Sequence, residues 1–277
     1  MHININKLGW CTDIHLNFLE RDDRLAFYHE ISKHKMEALM ITGDIAEAPN
    51  LIQNLTEMQK ELDMPIYFVL GNHDFWRSSQ KKVQEKIEEL DNANLIYLNE
   101  THFNHLNKNT ILVGVDGWAD ARLGNYENSH VQLVDSQLIK DLSEVAENRF
   151  TGTGNKKALQ TRMQKLADYD AWWLSLQLNA ALERKPKRII VATHIPPFKE
   201  ASKYRGEISN DSFLPFYTCK ATGDILLEKA NAHKKTRFQV YCGHTHGAAY
   251  FEAAPNLIVE AGAAEYREPK LQKVIDI

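Results

Sequence analysis

Ile66-Tyr67-Phe68-Val69-Leu70-Gly71-Asn72-His73-Asp74 is the stretch on which the reading of this chain turns. Its first half is a continuous run of aromatic and branched apolar residues, too short for a helix and without polar alternation, as a strand buried on both faces requires. Its second half stops that strand with a glycine and then offers an amide, an imidazole and a carboxylate in a row. The same grammar recurs along the chain. Ala38-Leu39-Met40-Ile41 runs into Gly43-Asp44, Arg188-Ile189-Ile190-Val191-Ala192 into Thr193-His194-Ile195-Pro196, and Phe238-Gln239-Val240-Tyr241-Cys242 into Gly243-His244-Thr245-His246. A first strand from about Leu8 leads likewise to Asp13-Ile14-His15.

Between these runs lie segments of helical spacing. Leu25, Tyr28, Ile31 and Ser32 follow Asp22, and Leu51, Leu55, Met58 and Leu62 follow Asn50. Strand alternating with helix predicts an α/β layer architecture. A hairpin is expected around Asn107-Lys108-Asn109, and two more strands after Pro255. Residues 118–186 are rich in Leu, Gln, Lys, Glu and Ala and contain Thr151-Gly152-Thr153-Gly154, which predicts a helix, a turn and a long helix inserted as a cap within a single domain spanning 1–277.

Composition narrows the function classes. A formal net charge of -4 speaks against a protein that holds nucleic acid on a broad basic surface. Cys11, Cys219 and Cys242 have neither finger nor C-x-x-C spacing, so no thiolate zinc site or disulfide framework is indicated. No apolar run approaches the roughly 20 residues of a membrane helix, and Met1–Lys7 lacks the features of a signal peptide. A cytoplasmic protein with no membrane partner is expected.

Side chains at the carboxyl ends of strands in an α/β sheet share one crevice, so clusters distant in sequence are expected to meet. Imidazole and carboxylate without thiolate suit Mn, Fe, Zn or Ni. In Asp13-x-His15 and His244-x-His246 the paired residues lie two apart, and in an extended segment they point the same way. The seven histidines outside these clusters, His2, His29, His34, His102, His105, His130 and His233, are read as surface or core residues.

In this order, and ending in Gly243-His244-Thr245-His246, the five clusters resemble the calcineurin-type metallophosphoesterase superfamily from Gly9 to His246. The resemblance implies an α/β fold, a four-layer α/β/β/α sandwich of two packed mixed sheets, here with a helical insertion. It further implies that Asp13, His15 and His246 hold one metal ion, that Asn72, His194 and His244 hold a second, and that Asp44 bridges them. The two ions, divalent or trivalent, would activate a water for in-line attack on phosphorus. By the same resemblance His73 is the non-ligand histidine that stabilises the transition state or protonates the leaving group, and Asp74 orients it.

The implied reaction is hydrolysis of a small phosphomonoester or phosphodiester. Tyr204, Arg205, Trp118 and Arg122 are the candidate substrate contacts, because loops at strand ends carry specificity. Two other readings remain at this point. One is a nuclease, motivated by Arg149, Lys156, Lys157, Arg162 and Lys165; the other is a catalytically idle metal-binding scaffold for a protein partner.

Overall fold

The computed structural model of the chain describes residues 4–146 and 154–277. The expected turn at Thr151-Gly152-Thr153 and the candidate nucleic-acid contact Arg149 lie outside the described residues. Strands β1 (Lys7–Cys11), β2 (Ala38–Thr42), β3 (Ile66–Val69) and β4 (Leu95–Tyr97) run parallel in one sheet. The last strand of the chain, Lys273–Asp276, joins that sheet antiparallel to β1.

The second sheet continues with β5 (Asn104–His105), β6 (Thr110–Gly114) and β7 (Arg188–Ala192). A small separate hairpin, β8 (Lys203–Tyr204) with β9 (Glu207–Ile208), follows. Then come β10 (Arg237–Cys242), β11 (Ala249–Ala254) and β12 (Leu257–Ala261), which makes the C-terminal strand β13. The order is β11-β12-β10-β7-β6-β5, with parallel pairing in the centre and antiparallel pairing at both edges. Both sheets are therefore mixed, and the expected hairpin forms as the short β5–β6 pair.

Period-two alternation along the strands builds the layers. Leu8, Trp10, Met40, Tyr67 and Val69 of the first sheet meet Leu112, Ile190, Ala192 and Tyr241 of the second in one buried cluster. Their neighbours Cys11, Leu39, Ile41, Ile66 and Phe68 point the other way, onto helices α1 (Arg21–Ser32), α2 (Leu51–Leu62) and α3 (Gln80–Glu88). Strands buried on both faces are thus why these runs carry no polar alternation. On the outer face of the second sheet, Ile111, Val113, Val191, Phe238 and Val240 pack with Leu174, Leu178 and Leu226. The architecture is the four-layer α/β/β/α sandwich.

Within 118–186 the first part is irregular rather than helical. Short helices α4 (Asp135–Leu138) and α5 (Lys140–Ala146) follow, and then α6 (Lys156–Glu183), begun by Asn155, whose side chain accepts the Ala158 N–H at 3.1 Å. The Leu214–Tyr217 turn, α7, and α8 (Lys220–Ala232) complete the helices used below. Among the described residues no helix is long and apolar enough to cross a membrane.

Candidate metal centre

The clusters following β1, β2, β3, β7 and β10 come together at one end of the two sheets. Backbone bonds lace them to one another: Asp13 N to Gly43 O at 3.1 Å, His15 N to Asp44 O at 3.0 Å, and Gly243 N to His194 O at 2.9 Å. Asp13, His15, Asp44, His244 and His246 all take positive φ, between 42° and 71°. Such left-handed conformations cost on the order of 1 kcal/mol or more each and persist only where surroundings over-determine them, typically at functional sites. A Cβ on Gly71 would run into the Asp44 carboxylate, and one on Gly243 into Asp13 and Thr12, so glycine is what lets these loops close on the carboxylates.

Asp13, His15, Asp44 and His246 each offer a ligand atom, all within 4.8 Å of one another. His15 Nε2 faces His246 Nε2 at 3.3 Å and Asp44 Oδ2 at 3.8 Å, and His246 Nε2 lies 3.4 Å from Asp13 Oδ1. Burial pushes His15 down to about 3. Burial, then the Asp13 and Asp74 carboxylates, pushes Asp44 well above the usual carboxylate range. Asp13, by contrast, is held low against the pull of burial by the neighbouring histidines, and it raises His246. Two crowded carboxylates beside a His15 ring that burial keeps neutral form a site whose charge balance a cation completes.

Asn72, His194 and His244 form the adjoining group. His194 Nδ1 lies 2.9 Å from Thr42 O, and His244 Nε2 lies 3.1 Å from Phe216 O. Each carbonyl takes the ring N–H, so the other ring nitrogen carries the lone pair. Those lone pairs, on His194 Nε2 and His244 Nδ1, both face Asn72 Oδ1 at 3.0 Å. The Asn72 orientation follows from its other end, where Nδ2 donates to Asp135 Oδ1 at 2.9 Å. Three acceptors therefore converge without a donor, an arrangement that a metal ion satisfies and a hydrogen bond cannot. Asp44 Oδ1 stands 3.4 Å from His194 Nε2 while its Oδ2 faces His15, so one carboxylate touches both groups.

A family model described as calcineurin-like phosphoesterase matches residues 7–248. The chain belongs to the calcineurin-like phosphoesterases. Metal-dependent hydrolysis of phosphoesters is accordingly its reaction class. Its structure is similar to that of a dimetal phosphatase from Danio rerio, at 14% identity and a TM-score of 0.58, covering 94% of this chain and 88% of that one. It is also similar to phosphopantetheinyl hydrolase from Mycobacterium tuberculosis, at 13% identity and a TM-score of 0.59, covering 96% and 91%. Identities this low show a shared fold alone. No curated protein matches the sequence.

In this phosphoesterase His73 sits beside Asp44, Nε2 to Oδ2 at 3.9 Å, and its ring stacks on Trp76 with centroids 3.6 Å apart. Asp74 does not orient it. The Asp74 carboxylate instead accepts the backbone N–H groups of Ile45 (3.0 Å), Ala46 and Gly71 (both 2.8 Å), which ties the loop after β2 to the loop after β3. The expectation of an Asp74–His73 contact is corrected on this point: the carboxylate turns toward three backbone donors that otherwise have no partner, and His73 Nδ1 is left buried without one. Burial, reinforced by His15, His194 and His244, pushes His73 down to about 2.

The expected substrate contacts are dispersed. Trp118 is buried and borders a cavity together with Asn72 and His244. Arg122 is already engaged, at 3.1 Å from Asp120 and 2.8 Å from Asp168, so it pins its loop to α6. Tyr204 and Arg205 lie at the exposed tip of the β8–β9 hairpin, with the guanidinium 5.2 Å from the phenol ring. The base of that hairpin bridges to Gly247, next to His246.

Two residues escaped the sequence reading. Asp135 holds Asn72 and also accepts the Trp76 indole N–H at 2.7 Å. Tyr266, half exposed, lays its ring 4.7 Å from that of His15 and 5.1 Å from that of His246. Neither lies in a motif; only the path of the 118–134 and 262–272 segments brings them here.

Proposed function

We infer that the chain hydrolyses a small phosphomonoester or phosphodiester at a centre of two metal ions. Asp13, His15 and His246 would hold one ion and Asn72, His194 and His244 the other, with the Asp44 carboxylate standing between the two groups. The observation that carries this reading is the convergence of lone pairs on Asn72 Oδ1, His194 Nε2 and His244 Nδ1 beside a carboxylate shared with a second donor group. Mn, Fe, Zn or Ni fits such a nitrogen and oxygen set.

When bound, the ions supply Lewis acidity toward the phosphoryl oxygens and an acidified water. The protein's own contribution is positional. Thr42 O and Phe216 O fix the tautomers of His194 and His244, and Asp135 fixes the Asn72 amide. His73, held by Trp76 and facing the site through Nε2, is placed to donate a hydrogen bond to a phosphoryl or leaving-group oxygen. A phosphate anion beside the ring favours its protonated form, against the pull of burial.

A small substrate is preferred over a polynucleotide in part because two of the basic residues that would favour the latter, Lys156 and Lys157, are engaged locally. Lys156 Nζ donates to the carbonyls of Glu127 and Ser129, each at 2.7 Å, and Lys157 to Gln160 at 3.1 Å. An idle scaffold is disfavoured by a donor set with every position filled. The test is hydrolysis of a chromogenic phosphodiester and its matching monoester by metal-stripped protein, with and without Mn, beside Asp44→Asn. Metal-restored turnover absent from the variant is expected, and stoichiometric metal binding without turnover of either ester would leave the scaffold.

A further inference from the structure

We propose that the cavity flanking Asn72 and His244 receives a neutral, largely apolar substituent of the phosphoester, a placement that depends on the phosphoesterase function inferred above. The cavity has a volume of about 480 Å³, within the roughly 300 to 1,000 Å³ common for small-molecule sites. It begins at the metal centre, where Gly71, Asn72 and His244 form its edge. From there it runs between the strand-end loops and the 118–186 segment. Phe75 and Phe216 come from the first side, and Trp118, Tyr126, Leu159 and Met163 from the second.

Size and continuity with the centre say that a phosphoryl group held by the ions can project its substituent into this space. Charge says which substituent. Among the described lining residues the charged ones are Asp135 and Lys156. Lys156 is held by two carbonyls, as above, and Asp135 by two N–H groups from Asn72 and Trp76. Among the described lining residues neither lysine nor arginine is left free to meet a second anionic group, and the Asp135 carboxylate repels one. Aromatic and aliphatic walls instead reward apolar surface, and Ser129, Gln132 and Gln137 at the lining can satisfy an occasional polar atom.

Alkylphosphonates, which the enzyme cannot hydrolyse because carbon replaces the ester oxygen, read this binding directly. Methyl-, butyl- and octylphosphonate are titrated calorimetrically into Mn-loaded protein, with 1,4-butanediphosphonate as the charged-tail control. Affinity is expected to rise by up to about fourfold per methylene, while the diphosphonate gains nothing over methylphosphonate. Met163→Trp and the less buried Leu159→Trp, which fill the space from α6, should each flatten the series. Should either variant fail to fold, the series on the unaltered protein still decides. Methylphosphonate bound with no gain along the series overturns the cavity's role and leaves the phosphoesterase standing. No phosphonate binding together with no metal-dependent turnover of any phosphoester overturns both.

Discussion

Asp135 accepts the side-chain N–H of Asn72 at 2.9 Å, and by doing so turns Asn72 Oδ1 toward His194 and His244. A carboxylate on a short helix of the inserted segment thereby sets the donor geometry of a centre built otherwise from strand ends. The Asp135 carboxylate is half-buried among its partners, and desolvation raises its pKa while the N–H groups of Asn72 and Trp76 pull it back.

Asp135→Ala frees the Asn72 amide to rotate. Affinity for the second ion should fall about 10- to 100-fold, while the Asp13, His15 and His246 group keeps the first. Metal titration followed by elemental analysis distinguishes the two ions; two equivalents retained at unaltered affinity would show that Asn72 needs no such support.

The His73 ring approaches Asp44 no nearer than 3.9 Å and takes no part in the converging donor sets, although the His73 backbone N–H donates to Asp44 Oδ1 at 2.9 Å. His73→Asn is therefore expected to retain both ions and lose rate by roughly 100- to 10,000-fold, whereas Asp44→Asn loses metal and rate together. Equal metal loss in the two variants would be incompatible with that division of roles.

Far from the centre, Arg24 Nε meets Glu57 Oε1 at 2.7 Å and Nη2 meets Oε2 at 3.1 Å, clamping α1 to α2. The hydrogen bonds from Arg24 hold the Glu57 carboxyl below its usual range. A depressed carboxyl contributes stability above its unfolded pKa and loses it as pH falls through the folded value. Glu57→Gln should cost about 1 kcal/mol at pH 7, and the gap should narrow toward pH 4. Urea unfolding at both pH values measures it, and a gap as wide at pH 4 as at pH 7 rejects the linkage.

How much of this was legible follows from how each contact is made. His15 and His246 are separated by most of the chain yet meet at 3.3 Å, and that was readable because each follows a buried strand and parallel strands deliver their ends to one side. The alternation of Leu39 and Ile41 against Ala38 and Met40, which sends them to opposite faces of the sheet, was readable as an unbroken apolar run. Asp135 was not, because nothing local to it announces Asn72, and the irregular 118–134 segment that delivers it has no period. Arg122 looked free for substrate because its partners, Asp120 and Asp168, are chosen by loop path. Tyr266 lies beyond the residues of the family match and reaches His15 only because the return to β13 crosses the site.

Asp74 shows the same limit most sharply, because adjacency to His73 suggested an orienting partner and the carboxylate serves the backbone instead. Its three acceptor contacts satisfy the N–H groups of Ile45, Ala46 and Gly71, all beside candidate ligands Asp44 and Asn72. Removing it leaves three buried donors unpaired, each worth about 1 kcal/mol or more. Asp74→Ala should therefore lower the stability of the metal-free protein by roughly 3 kcal/mol, with Asp74→Asn, which keeps one acceptor oxygen, falling between. Denaturant unfolding of the metal-stripped proteins is the measurement, since it separates loop anchoring from catalysis. An Asp74→Ala protein as stable as its parent but slow in turnover would restore the carboxylate to the service of His73; a destabilised one assigns it to holding together the two loops that carry Asp44 and Asn72.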